Sequence, residues 1–211
     1  MLSVVFASLL RQFSDDDALI ARLWAEVVAQ YESIGRHYHT LQHLEALLQE
    51  MEDLPFALNH RECVLFSLFY HDFMYDPLAS DNEEKSAEHA VSVLCQIGAT
   101  AFIEPCSAQI MATKTHHFTG DHDTDIFTDA DLAILGQPAG QYRLYATQVR
   151  KEYAVFRDEV FFSGRKAVLE HFLAKNTIYK TPFFQQKYEY QARLNLQTEI
   201  HIQDIATAKW F

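Results

Sequence analysis

Apolar residues recur at steps of three or four along nearly the whole chain, and Gly and Pro are scarce, which predicts helices and no strands. Leu2, Phe6, Leu9 and Phe13 mark a first helix. Ser14-Asp15-Asp16-Asp17 supply acids suited to the positive end of a second, which presents Ile20, Leu23, Trp24, Val27, Val28 and Tyr31 on one side and closes by Gly35. A third, over about 41–52, turns Leu44, Leu47, Leu48 and Met51 inward. The fourth, about 59–71, is apolar on every side from Val64 to Tyr70 except at Ser67, so it is expected to be the buried central helix.

Asp81-Asn82-Glu83-Glu84 opens a fifth helix to about Ile97, with Ala87, Ala90, Val91, Leu94 and Ile97 inward and Lys85 and His89 outward. Pro105 fits the first turn of a sixth that reaches about His117. Thr119–Asp125 reads as a loop, followed by a short helix to Leu135 and three more over about 139–155, 163–175 and 182–206. The expectation is an all-α fold in a single domain over 1–211, without repeats or linkers.

Composition narrows the function classes. Seventeen Lys and Arg against 29 Asp and Glu give −12, which argues against a nucleic-acid polymer or an anionic membrane surface as partner and leaves a small phosphorylated substrate open. No apolar run approaches the roughly 20 residues that span a bilayer. Cys63, Cys95 and Cys106 form no Cys-x-x-Cys pair and no disulfide framework, which fits a reducing cytoplasm.

Candidate chemistry gathers mid-chain. His71-Asp72 falls where the all-apolar fourth helix ends, so an imidazole and a carboxylate leave the buried centre together. A carboxylate there needs a cation, and a metal would satisfy both residues. His43 lies at the margin of the third helix's apolar stripe with His39 one turn earlier, but no Glu follows His39 as in a metalloprotease His-Glu-x-x-His helix. Asp129 and Asp131 stand two apart and cannot share a helix face, and Thr128 with Asp131 also reads as a helix start.

The series His43, His71-Asp72 and Asp131 resembles the HD superfamily of metal-dependent phosphohydrolases, whose signature is a His, a His-Asp pair and a distant Asp on a helical bundle. Longer strings sharpen the likeness to a predicted phosphohydrolase subfamily over most of the chain. They are Arg-His-Tyr-His-Thr-Leu-Gln-His at 36–43, His-Asp-Phe-Met-Tyr-Asp at 71–76, Asp-Asn-Glu-Glu-Lys-Ser-Ala at 81–87, Asp-Ala-Asp-Leu-Ala-Ile-Leu-Gly at 129–136 and Ala-Arg-Leu-Asn-Leu at 192–196. The resemblance implies an HD-type bundle with additional N- and C-terminal helices. It also implies one divalent cation (Mn, Co, Ni, Fe, Zn or Mg) held by His43, His71, Asp72 and Asp131.

Related nucleotidases carry an acid four residues after the His of the His-Asp pair, where this chain has Tyr75; Asp76 comes one position late. Glu83, on the side of Ala87, Ala90 and Leu94, is the replacement candidate for orienting water, with Asp81 and Glu84 as a competing capping box. Helical periodicity turns His117 inward, whereas the resemblance favours His116 as a substrate contact. Arg36, His39 and Arg193 complete the candidates for a phosphate. The implied activity is hydrolysis of a phosphoester of a small molecule, such as a nucleotide, by metal-activated water. A non-catalytic metal or nucleotide sensor and an iron-dependent HD-type oxygenase are the alternatives.

Overall fold

The structure, a computed structural model, describes residues 1–208 and the side chains of 1–205. Among these it is all-α. The helices are α1 (Leu2–Leu10), α2 (Asp17–Tyr31), α3 (Leu41–Glu52), α4 (Arg61–Tyr70), α5 (Asn82–Gln96), α6 (Ile103–Ala112), α7 (His122–Asp131), α8 (Ala139–Glu152), α9 (Asp158–Ala174) and α10 (Pro182–Ala208). Short 3-10 turns precede α6 and follow α7. The chain, read above as one domain, clusters into two compact units that divide inside α7, between Ala130 and Asp131.

In the first unit α4 is the axis. Every residue from Cys63 to Tyr70 is buried, as its unbroken apolar surface requires, and α3, α5 and α6 pack against it. Phe6 of α1 meets Phe69 edge-on with centroids 5.0 Å apart and Trp24 of α2 at 5.5 Å, which joins the first two helices to the axis. Ser67 interrupts the apolar run because it is partnered: its hydroxyl donates to Gln109 Oε1 of α6 at 2.6 Å.

Four expectations about the first unit change. The sixth helix stops at Ala112, short of His117, because Thr113 turns its hydroxyl back to the Ile110 carbonyl (2.7 Å) and His116 takes a left-handed φ of 51°. The loop expected over 119–125 is helical from His122, since Asp121 Oδ1 accepts from the Thr124 amide (2.9 Å) and hydroxyl (2.6 Å) and so caps α7. Thr128 therefore lies inside α7, donating to the Thr124 carbonyl at 2.8 Å, and starts no helix. His89, expected outside, is half-buried and stacks on Phe73 at 4.0 Å with 10° between the rings.

The second unit is held by the turn after α7. Asn195 of α10 donates to the carbonyls of Leu135 and Gln137, each at 2.8 Å, and the Tyr179 hydroxyl donates to that of Leu132 at 3.0 Å. Arg165 of α9 grips Glu199 of α10 through Nε (2.9 Å) and Nη2 (3.1 Å), a two-pronged pair screened from water. Gly136 sits against Tyr188, and a Cβ there would lie 2.5 Å from Tyr188 Cβ, a backbone-anchored atom that cannot swing aside. Gly136→Ala is expected to cost about 1–3 kcal/mol of stability, read by chemical denaturation; an unchanged midpoint would contradict this packing.

Candidate metal centre

The four residues expected to bind metal come from three helix-linked positions: His43 in the first turn of α3, His71-Asp72 directly after α4, and Asp131 as the last residue of α7. One ligand atom each from His43, His71 and Asp131 lie within 4.8 Å of one another. The Nε2 atoms of His43 and His71 are 3.2 Å apart, and both side chains are buried. Asp72 Oδ2 stands 3.0 Å from His71 Nε2 and 3.7 Å from His43 Nε2.

The end of α4 determines which nitrogen of His71 faces the cluster. The last carbonyls of a helix lack partners within it, and His71 Nδ1 lies 3.0 Å from that of Leu68. A carbonyl only accepts, so Nδ1 carries a proton, and Nε2 is the nitrogen turned toward His43 and Asp72. Phe127 of α7 backs the same ring edge-on at 5.6 Å and excludes water from that side. Two imidazole nitrogens and the Asp131 carboxylate at this spacing, with Asp72 beside both imidazoles, suit a divalent cation with mixed nitrogen and oxygen ligands.

The remaining candidates fall into distinct settings. His39 Nε2 is 4.0 Å from Asp72 Oδ2, and its ring lies on Tyr75 with centroids 4.4 Å apart, so His39 borders the cluster. Arg36 donates to the main-chain carbonyls of His39, Asp72 and Phe73. Arg193, in the second unit, donates to the carbonyls of Leu173, Lys175 and Asn176 and closes the end of α9. Asp76 is exposed and its carboxylate accepts from the Leu78 amide at 2.8 Å, shaping the turn before α5. Glu83 is partly exposed with Lys114 Nζ 3.8 Å away. The competing capping box does not form: Asp81 makes no cap bond and pairs with Lys85 at 2.9 Å. His116 is half-buried, whereas His117, which periodicity turned inward, is exposed because α6 has already ended.

No family model, curated protein or solved structure matches this chain. The site therefore rests on its own geometry.

Sequence reasoning did not find the Leu68 carbonyl, the Tyr75 ring or the carbonyl acceptors of Arg36. The first was within reach, since a His just past a helix end stands next to an open carbonyl three residues back. It also missed how the acids of α7 are divided. Asp123 accepts from the Asn59 and His60 amides (2.9 and 2.7 Å) ahead of α4, and Asp125 accepts from the Thr119 and Gly120 amides (2.9 and 3.1 Å). Neither buried thiol offers a nucleophile near neutral pH: burial pushes Cys106 up to about 12 and raises Cys63 as well.

The cap of α7 sets where Asp131 arrives, ten residues further on. The Thr124 hydroxyl and amide hold the Asp121 carboxyl below its ordinary range. A lowered folded pKa adds stability above the unfolded value, and that stability is lost as pH falls through the folded one. Asp121→Ala should cost about 0.5–2 kcal/mol at neutral pH, with the gap from wild type narrowing in acid, as read by denaturation at several pH values. A gap that is constant with pH would show that the charge contributes nothing.

Proposed function

We propose that the protein is a metal-dependent phosphohydrolase of the HD superfamily, cleaving a phosphoester of a small molecule, such as a nucleotide, in the cytoplasm. The observation that carries this reading is the convergence of His43, His71 and Asp131, with the Asp72 carboxylate beside both imidazoles. These positions match, in order, the signature that the sequence resembles. The described residues contain no helix long and apolar enough to cross a membrane.

His43, His71, Asp72 and Asp131 would hold one divalent cation. Bound there, the cation would supply Lewis-acid polarisation of a phosphoryl oxygen and of the attacking water. His39, bordering Asp72 and partly open to solvent, would donate to a phosphoryl oxygen as its charge grows. Glu83 remains the candidate for orienting water. Asp76, tied to the Leu78 amide, is less free to do so.

Elemental analysis of the purified protein, thermal denaturation with and without added Mn, Co, Ni, Fe, Zn or Mg, and a screen of phosphorylated metabolites test the reading. Wild type is expected to hold about one metal per chain and to be stabilised by it, while His71→Ala loses both the metal and turnover. Absence of metal together with an unmoved melting temperature would overturn the site. Metal bound without turnover on any phosphoester would leave a sensor.

Glu83→Gln separates roles within the site. It should keep metal content and lose most turnover if Glu83 orients water, whereas Asp72→Asn should lose both. Full turnover in Glu83→Gln would remove that residue from the chemistry.

A further inference from the structure

Arg36 is 9% exposed, and both terminal nitrogens of its guanidinium donate to main-chain oxygens. Nη1 donates to Asp72 O at 2.7 Å and to His39 O at 3.1 Å, and Nη2 donates to Phe73 O at 2.8 Å. A single nitrogen thus ties the segment leading into α3, which carries His39 and then His43, to the turn after α4, which carries His71 and Asp72. The plane of the guanidinium is fixed from two sides, with Tyr31 centred 4.8 Å away and Tyr75 5.3 Å away. Tyr75 in turn carries the ring of His39.

Two features separate this arrangement from ordinary helix capping. Nε is buried without a hydrogen-bond partner, an unfavourable feature that a residue merely filling space would not require. The three acceptors also belong to residues at or next to the cluster, and a planar fork can serve them together where a point charge cannot.

We propose that Arg36 is the positioning residue of the metal centre: through the carbonyls of His39, Asp72 and Phe73 it sets the separation of the two segments that bear the ligands. The inference rests on the metal-site reading above. It assigns Arg36 to the geometry of the protein ligands, acting through the main chain and not by contact with a phosphate.

The test is titration of metal-stripped protein with Co2+, followed by calorimetry and by the visible absorption of the bound ion, with the melting temperature of each metal-free protein measured alongside. Arg36→Ala is expected to weaken Co2+ binding roughly 10–100-fold and to alter the absorption band. Arg36→Lys should fall between it and wild type, because one ammonium can reach some of the three carbonyls but cannot hold them in one plane. Arg22→Ala on α2, which removes an exposed ion pair with Glu26, should bind as wild type does. If Arg36→Ala does not fold, Arg36→Lys decides. Wild-type affinity and absorption in a folded Arg36 variant would overturn the positioning role while leaving the metal site standing. Failure of wild type to bind Co2+ or any other divalent ion would overturn both.

Discussion

The structure depends most on burying one short helix completely. Once α4 is enclosed on all sides, everything that follows Tyr70 emerges from the interior, and the polar groups at its end need partners there. His71 meets the need with one nitrogen on the Leu68 carbonyl and the other toward His43. The carbonyls of Asp72 and Phe73 meet it with Arg36. The candidate centre is thus a consequence of how a buried helix terminates, and the same hydrogen bonds that complete the helix end orient its ligands.

The helical pattern was legible where periodicity alone decides the outcome. The inward faces of α2, α3 and α5 follow from spacing, and the all-round apolar surface of α4 identified it as the axis. Ends were less legible, because local side chains compete with the helix there. Thr113 and His116 stop α6 early, and Asp121 starts α7 inside a stretch whose polar composition reads as loop. His89 escaped the face count because its ring stacks on Phe73, which lies outside any helix, and periodicity along α5 cannot register such a partner.

Site residues divide in the same way. His43, His71 and Asp131 were marked by their order along the chain, and they converge. The two arginines were marked only by charge, and charge does not distinguish a phosphate from a carbonyl as acceptor. Arg36 and Arg193 each end on a group of carbonyls close to a helix terminus, where the negative end of the helix dipole and unpaired oxygens favour a cation.

The same sorting by partner explains why an acidic chain need not bind cations wherever its acids cluster. Asp121, Asp123 and Asp125 lie within five residues of one another, yet each carboxylate accepts from main-chain amides and serves as a cap or a loop anchor. Their lone pairs are directed at N–H groups, which leaves little for a metal. Asp72 and Asp131 differ in position: each follows or ends a helix, where the dipole gives an anion no support. Carboxylates so placed, beside imidazoles whose protons can face away, form an arrangement that a divalent cation would stabilise. The acids that hold the fold and the acids that face the cluster are thereby separated by which helix end they occupy.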